Sequence, residues 1–428
     1  MELLITSDMY DTARQPTVPR ASAPEPAAPA EGQAALMLRE ILNLCQDLRV
    51  SDIQFRTDRL LYIETHVGMQ ILEQYGVLDG ETVLGLLQEL ARFKEETDPI
   101  FLRSVRGAGE STGSFEQILT KLKDTRVADF SCRAVPLDEY GTRWSGRLRI
   151  QAHFSNSGLG VTCRILNDSI PELQGLGFAP DTIASLHDCV TRRAGLCLVT
   201  GPTGSGKSTT LASLIDWVRR HYRKHIVTLE DPVEYLYPYD ITGPGGLSLP
   251  APGIVTQQEV GRDIADYRQG LKDVLRKAPH IILLGEIRDR EAMETCMEAA
   301  QTGHLVLSTL HTTGSVKTLG RILELFPRDK HESVLSRLSE ILMFILSQGL
   351  LRTPNGRVLT YEFLLNHDDA CASSIANYHR GAGALNDVIG RSGNIEWDAN
   401  LARLLRAGRI DEETFASNRM KRDEGLSL

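Results

Sequence analysis

The stretch "TGPTGSGKSTTLASLIDW" (200–217) constrains the fold of this chain more than any other part of the sequence. It contains the pattern G-x-x-x-x-G-K-[ST], from Gly201 to Ser208. An apolar run, "GLCLVT", precedes the pattern, and apolar residues at helical spacing follow it. Glycines let such a loop close around an anion, and the N–H groups at a helix N-terminus supply partial positive charge. We therefore predict a buried strand, a phosphate-binding loop and a helix; the alternative is an ordinary glycine turn before a helix.

The residue types in this loop predict how a nucleotide would be held. Lys207 is expected to reach the β- and γ-phosphates, and Ser208 to offer its hydroxyl to Mg²⁺. The predicted cofactor-binding residues are Gly201, Pro202, Thr203, Gly204, Ser205, Gly206, Lys207, Ser208 and Thr209.

Length, charge and cysteine content narrow the class of protein. The 428 residues suggest roughly two or three domains. No apolar run approaches the roughly 18 residues of a membrane span, and no export signal is recognised. The seven cysteines include no C-x-x-C, so they are expected to be reduced and buried in a cytoplasmic protein. A formal net charge of −9 disfavours general nucleic-acid binding.

Changes in composition and periodicity predict the domain organisation of an α/β protein. "DEYGT" (138–142) is typical of a hairpin connection and favours antiparallel strands in the first domain, and "RGAGESTGSFEQ" (106–117) is expected to be a flexible loop. The chain after about Ser315 is expected to be mostly helical. The predicted segments are a disordered Pro/Ala-rich leader (1–32), a small α/β domain (33–167), a linker (168–180), a βα-repeat domain (181–365) and a helical C-terminal tail (366–428).

The second domain is expected to contain a parallel sheet. Its apolar runs "LCLV", "HIVTL", "HIILL" and "HLVLSTL" are continuous, which is typical of strands buried on both faces. Ligands of such sheets bind outside the carboxyl ends of the strands. The residues that follow these strands are therefore expected to lie near the phosphates.

Several of those residues are suited to ATP hydrolysis. A carboxylate near the γ-phosphate can orient water, while others hold Mg²⁺ through water molecules. Position alone assigns Glu286 to catalysis, with Glu230 and Asp231 as candidate Mg²⁺ ligands. The acidic residues and histidine at the strand exits are Glu230, Asp231, Glu234, Glu286, Asp289 and His311.

Other interpretations of these residues stay open. Asp231 precedes Pro232 and is also a common turn former, while Asp289 is also suited to be the N-cap of the next helix. His304 and His311 bracket a strand, and neutral hydrogen-bonding histidines are the ordinary outcome there. The surrounding residues lack the ligand spacing of a zinc site.

Motifs in a fixed order resemble the secretion ATPase superfamily of PilT- and GspE-like motors. They are "GPTGSGKST" (201–209), "TLEDPVEY" (228–235), "IILLGEIRD" (281–289) and "TGHLVLSTLHT" (302–312). The likeness covers about 175–365. A weaker likeness, in "RVSDIQFRTD" and "RLRIQAHF", extends to the first domain, which in this family is PAS-like, whereas the second is RecA-like.

The resemblance implies a homohexameric ring that binds ATP and Mg²⁺ between its domains. Such a ring is cytoplasmic and is attached to the inner membrane through components of a secretion or conjugation machine. The resemblance assigns Glu234 and Glu286 to catalysis, and His304 and His311 to γ-phosphate sensing or communication within the ring. It also makes Arg149 and Arg164 candidate arginine fingers.

Departures from the family pattern help to choose within the superfamily. The four-cysteine insert of GspE- and PilB-like motors is absent from the sequence, and so is the A-I-R-N-L-I-R-E motif of PilT-like motors. The tail "SGNIEWDANLARLLRAGRIDEETF" (392–415) instead resembles that of DotB and TraJ, ATPases of type IVB secretion and conjugation. The segment 236–253 lengthens the loop after "TLEDPVEY". A pilus-retraction motor is the alternative.

Two further classes of function compete with an energy-coupling ATPase. A GTPase would need an N-K-x-D motif, which the sequence lacks, and a kinase would need an acceptor pocket. A scaffold that uses ATP only as an assembly ligand would need neither Glu234 nor Glu286.

Overall fold

The computed structural model describes residues 31–48, 50–65, 68–97, 114–134, 146–166, 169–243, 246–354, 356–391 and 393–420. The chain divides into two compact units, Met1–Leu166 and Asn167–Leu428. Most of the predicted leader and the "DEYGT" connection lie outside the described residues. The first described helix begins at Glu31, two residues before the predicted start of the first domain.

The first unit is an antiparallel sheet with helices. The sheet has six strands in the order β3-β2-β1-β6-β5-β4. Each neighbouring pair is antiparallel, which confirms the prediction of antiparallel strands in the first domain. The strands are β1 (Asp52–Arg56), β2 (Arg59–Thr65), β3 (Gly68–Leu78), β4 (Val127–Ala134), β5 (Gly146–Ser155) and β6 (Gly158–Leu166), and the helices are α1 (Glu31–Leu48), α2 (Gly80–Thr97) and α3 (Ser114–Thr125).

Burial of apolar stripes explains these helices. In α1, Leu38, Ile41, Leu42 and Cys45 recur at helical spacing and are buried with residues of the sheet. Two elements of this unit lie outside the helical and strand-like runs that the sequence predicts, such as "ALMLREILNLCQDL" and "DIQFRTDRLLYIETHV". They are β3, and α3, whose first turn overlaps the expected flexible loop 106–117; residues 106–113 lie outside the described part of the chain.

The second unit contains a seven-stranded sheet in the order β11-β8-β12-β13-β7-β14-β15. All neighbouring pairs are parallel except β14 with β15. The strands of this unit, including the separate pair β9 and β10, are β7 (Gly195–Thr200), β8 (His225–Glu230), β9 (Asp240–Thr242), β10 (Ser248–Pro250), β11 (Ile254–Glu259), β12 (Ile281–Leu284), β13 (Leu305–Leu310), β14 (Leu342–Thr353) and β15 (Gly356–Leu365).

Helices cover this sheet and complete its core. The continuous apolar strands β7, β12 and β13 are buried along their whole length, as predicted for a parallel sheet. The helices are α4 (Leu173–Leu176), α5 (Pro180–Thr191), α6 (Lys207–His221), α7 (Tyr267–Val274), α8 (Arg290–Gln301), α9 (Ser315–Glu324), α10 (His331–Ile341), α11 (Asp369–Ala376), α12 (Gly383–Ile389), α13 (Trp397–Arg406) and α14 (Glu412–Ser417). None of the described helices combines the length and apolarity needed to cross a membrane.

The described chain after Ser315 contains six α-helices, but it also contains two strands that the expectation of a mostly helical segment left out. Strands β14 and β15 are long and largely buried, and β14 pairs with the strand that carries the predicted phosphate loop. The predicted linker 168–180 also differs, because Leu173 and Phe178 are buried in the core of the second unit. Helices α11 and α12 of the predicted tail contribute to a core cluster that includes Leu196 of β7.

The long segment after β8 forms a small hairpin, in which β9 pairs with β10. Its base is held by Arg219 of α6, whose Nη1 donates to the Pro238 carbonyl at 2.5 Å. The backbone N–H of Gly253 in turn donates to the Arg219 carbonyl at 2.9 Å. Arg219 and Asp216 form a buried ion pair with an N–O distance of 2.6 Å. The hairpin is therefore fixed to the helix that follows the phosphate loop.

Candidate nucleotide site

The loop between β7 and α6 has the backbone conformation that its glycines allow. Gly201, Gly204 and Gly206 have φ angles of 142°, 78° and 87°. A β-carbon on Gly201 would lie 2.2 Å from the carbonyl oxygen of Gln348. This loop thus passes so close to β14 that only glycine fits at position 201.

Lys207 directs its ammonium group back into the loop. Its Nζ donates to the carbonyls of Gly201 at 2.8 Å and Pro202 at 3.0 Å. Burial lowers the pKa of Lys207, and the negative charges of Glu286 and Glu234 oppose that change. The sheet edge therefore brings both candidate catalytic carboxylates into electrostatic reach of this lysine.

Ser208 lies in the first turn of α6 and lines a small cavity together with Glu230. The cavity has a volume of about 40 Å³, and Tyr235 and Thr309 also line it. Burial raises the pKa of Glu230, although its Oε1 accepts hydrogen bonds from Thr228 at 2.6 Å and Gln257 at 3.2 Å.

The oxygen donors around this cavity fit Mg²⁺, which prefers oxygen ligands and retains water molecules. Ser208 and Glu230 both line the cavity, whereas the third predicted ligand, Asp231, is exposed and pairs with Arg288 at 3.4 Å. The donor set thus suits Mg²⁺ at Ser208 and Glu230 more directly than at Asp231.

Glu286 follows β12 and has partners on both carboxylate oxygens. Its Oε2 lies 3.1 Å from Nε2 of His311, and its Oε1 accepts hydrogen bonds from Nε and Nη2 of Arg288. Burial acts to raise the pKa of Glu286, but the guanidinium of Arg288 and the imidazole of His311 outweigh it, so the pKa lies below its usual range. Glu286 is therefore an ionised carboxylate at neutral pH, as a general base requires.

Glu234 is half-buried in the segment after β8. The neighbouring Tyr235 places its hydroxyl 2.8 Å from that of Thr209, the last residue of the predicted loop. This contact ties the "TLEDPVEY" segment to α6.

The structure does not bring every predicted residue to this edge. Asp289 is the N-cap of α8, since its carboxylate accepts the N–H of Ala292 at 2.8 Å; the simpler interpretation applies. His304 precedes β13 and lies at the amino end of the strand, where its Nδ1 is 3.2 Å from the carbonyl oxygen of Ala299. His304 and His311 therefore lie at opposite ends of β13, roughly 20 Å apart. This distance does not fit a role for His304 in sensing the γ-phosphate bound to its own subunit.

The candidate arginine fingers belong to the first unit. Arg149 and Arg164 are directly opposite each other on β5 and β6. Arg164 donates through Nε to Asp52 at 2.8 Å. The guanidinium of Arg164 is thus held by a carboxylate of its own sheet.

Two residues at the site were not among the predicted ones. Gln348 of β14 is buried and donates through Nε2 to the Ser205 carbonyl at 2.8 Å, beneath the loop. Arg288 joins Glu286 to Asp231. Arg288 stands inside the motif "IILLGEIRD" (281–289), but only the folded chain shows what Arg288 and Gln348 contact.

Comparisons with known proteins agree with this geometry. The family described as "Type II/IV secretion system protein" matches residues 142–397. The chain is 34% identical over 284 residues to the twitching motility protein of Neisseria gonorrhoeae, a match that covers 66% of this chain and 72% of that protein. It is 39% identical over 220 residues to the type IV pilus retraction ATPase PilT of Pseudomonas aeruginosa, covering 51% and 60%. It is also 40% identical over 221 residues to the uncharacterised protein YggR of Escherichia coli K12, covering 51% and 63%. The matches thus span less than two thirds of the YggR and PilT chains.

Solved structures show the same architecture. The pilus retraction motor PilT, determined with bound ADP, is similar with a TM-score of 0.71 at 30% identity, covering 91% of this chain and 99% of that one. The ATPase DotB of Legionella pneumophila has a TM-score of 0.72 at 21% identity, covering 92% and 97%, which is a likeness of fold. The expected fold is confirmed: a PAS-like α/β domain precedes a RecA-like P-loop domain with a helical tail. The chain belongs to the Type II/IV secretion system protein family, within the superfamily of secretion and pilus ATPases that includes PilT and DotB.

Proposed function

We propose that this protein hydrolyses ATP and that a ring of its subunits converts hydrolysis into movement of a secretion apparatus. One observation carries the proposal. Glu286 is ionised, is held by His311 and lies at the carboxyl end of β12, and its negative charge acts to raise the pKa of Lys207 in the phosphate loop. A scaffold that merely binds ATP would not need this arrangement.

The roles of the residues follow from their positions. The loop N–H groups and Lys207 bind the phosphates, and Glu286 accepts a proton from the attacking water. Glu234 adds negative charge near Lys207 and is the second candidate for orienting water. Bound Mg²⁺, held by Ser208 with Glu230 or Asp231, would neutralise charge on the phosphate oxygens.

The ring and its cross-domain contacts are part of the proposal. We infer a homohexamer in which Arg149 or Arg164 supplies a cation to the transferred phosphoryl group. Arg164 donates to Asp52 through Nε, and this ion pair would orient its exposed guanidinium. His304 lies away from the strand edge where Glu286 and His311 meet, so we assign it to communication within the ring.

The proposed machine is a type IVB-like secretion or conjugation apparatus, to which the protein docks from the cytoplasmic side through inner-membrane partners. The tail 392–415, which resembles that of DotB and TraJ, supports this choice. Pilus retraction is the second candidate. It is favoured by the sequence identity to the twitching motility protein and to PilT.

The ATPase rate per subunit, measured against protein concentration with particle size in parallel, tests the core of the proposal. We expect the rate to rise as rings assemble, and Glu286→Gln to abolish it while rings persist. A rate that is independent of concentration in a monomer would exclude the ring and the arginine fingers. An unchanged rate in Glu286→Gln would exclude this carboxylate as the base.

Expression in a Pseudomonas aeruginosa strain that lacks PilT distinguishes the two machines. Restored twitching would establish retraction and exclude the type IVB-like assignment as the sole role. Failure to restore twitching by a protein that is active as an ATPase is the expected outcome. PilT itself, expressed from the same vector, serves as the positive control for expression and docking.

A further inference from the structure

We propose that Arg288 is a positioning residue that holds Glu286 in an unproductive ion pair and releases it for catalysis by transferring to Asp231. This inference rests on the proposed ATPase function and concerns the regulation of the same site.

The first observation is that both oxygens of the Glu286 carboxylate have partners and that Oε1 has two. Arg288 donates both Nε and Nη2 to Oε1, and His311 occupies Oε2 at 3.1 Å. An oxygen that accepts two N–H groups from a guanidinium is a poor proton acceptor, because its lone pairs are engaged and the positive charge stabilises the ionised form. Glu286 cannot activate water through Oε1 while this ion pair persists.

The second observation is an alternative position for the guanidinium. Nη2 of Arg288 already lies 3.4 Å from Oδ2 of Asp231, and its Cζ lies 5.5 Å from the centroid of the Tyr267 ring. Tyr267 is fixed against the strand exit, since a β-carbon on Gly285 would lie 2.8 Å from its hydroxyl. A carboxylate and an aromatic face together form a receiving site for a guanidinium.

Because the ion pair is exposed to solvent, the transfer of the guanidinium has a low free-energy cost. The Arg288 side chain is 56% exposed and that of Asp231 is 38% exposed, so movement between the two carboxylates desolvates neither group. Glu286 is less exposed, at 21%, and His311 would keep its Oε2 in place. The transfer thus frees Oε1 alone and preserves the orientation of the carboxylate.

The released oxygen can then perform the proton transfer. A water molecule gives its proton to Oε1 of Glu286 as its oxygen bonds to the γ-phosphorus, and the bond from that phosphorus to the bridging oxygen breaks. ADP retains that oxygen with its electron pair. Arg288 does not touch the reacting atoms in this scheme; it determines how often Glu286 is available.

Steady-state ATP hydrolysis by four variants tests the inference. Arg288→Gln removes the competing cation and should raise kcat several-fold with the KM for ATP changed by less than about twofold. Arg288→Lys retains a charge without the fork and should give an intermediate kcat. Asp231→Asn removes the receiving carboxylate and should lower kcat. In the double variant Asp231→Asn/Arg288→Gln, the kcat should equal that of Arg288→Gln.

The outcomes separate this inference from the proposed function. A fall in kcat for Arg288→Gln would overturn the inference, and so would an equal loss from Asp231→Asn in both backgrounds, which would identify Asp231 as a direct ligand of Mg²⁺ or substrate. An inactive wild type, or a Glu286→Gln variant as active as wild type, would instead refute the ATPase proposal. Thermal melting of each variant establishes that the fold is intact.

Discussion

Nε2 of His311 lies 3.1 Å from Oε2 of Glu286, and the two residues reach this contact from the ends of adjacent parallel strands. The imidazole N–H therefore fixes one oxygen of the candidate base. It leaves the other oxygen to be controlled by Arg288.

Replacement of His311 should impair turnover more than nucleotide binding. Loss of a hydrogen bond to a charged group costs about 1.5–3 kcal/mol, so His311→Ala should lower kcat by ~10- to 100-fold. His221, at the opposite end of α6, is the matched control, and His221→Ala should retain the wild-type kcat. A loss confined to ATP affinity would contradict the role given to His311.

Gly201→Ala should abolish nucleotide binding. The new β-carbon would stand 2.2 Å from the Gln348 carbonyl oxygen, at a φ of 142°, so the loop or β14 must shift. Gly204→Ala is the comparison, since its β-carbon would meet no atom within 4 Å and only its φ of 78° is strained. That strain costs about 1–2 kcal/mol. Equilibrium binding of a fluorescent ATP analogue should separate the variants; equal affinities would refute the steric argument.

The buried Arg219 should stabilise the second unit. Its side chain is 2% exposed, and Arg219→Met removes the donor to Asp216 and to the Pro238 carbonyl. We expect a loss of about 3 kcal/mol in the free energy of unfolding, at the lower end for a broken buried pair because Arg220 still contacts Asp216. The Arg220 side chain is 43% exposed, so Arg220→Met should lower the free energy of unfolding by less than about 1 kcal/mol. Urea denaturation measures both losses. Equal losses for Arg219→Met and Arg220→Met would contradict the claim that burial of Arg219 makes its ion pair more important.

The cysteines should be inert in the folded protein. The seven thiols are buried, and burial raises the pKa of Cys45, Cys189 and Cys296 to about 12. Since the thiolate is the reactive form, almost none is present at pH 8 in these residues. Ellman's reagent should therefore label the native protein slowly and label seven thiols per chain in denaturant. Rapid labelling of the native protein would show that at least one thiol is accessible.

Sequence patterns were sufficient for the parts of the fold that repeat a local rule. The parallel strands β7, β8, β12 and β13 were predictable because burial on both faces requires continuous apolar runs, as in Leu305–Leu310. Strand β11 was not predicted, since none of its residues is fully buried. Strand β14 was not predicted, because its apolar run follows a helix directly and no turn signal at Leu342 separates the two. In the first unit, β3 was missed because its buried residues do not alternate regularly.

In the candidate site, the residues at strand ends were predictable, but the side-chain contacts between them were not. The convergence of Glu286 and His311 follows from the position of ligands at the carboxyl ends of parallel strands. Gln348 could not be assigned, since its contact with Ser205 joins residues 143 positions apart. The partnership of Glu286 with Arg288 depends on side-chain orientation, which a motif does not encode.

The packing of α11 and α12 limits how relatives of this protein can be recombined. Cys371, Ile375 and Leu385 share a core with Leu196 and Leu198 of β7, so the C-terminal helices are part of the hydrophobic interior. A junction placed at 366 would join two half-cores whose side chains evolved separately. A junction beyond α12 keeps this core within one parent, but it still divides the cluster in which Trp397 and Leu401 of α13 pack with Leu351 and Val358 of the sheet. Tail exchanges between members of the superfamily therefore need the sheet residues under α13 to be exchanged with it.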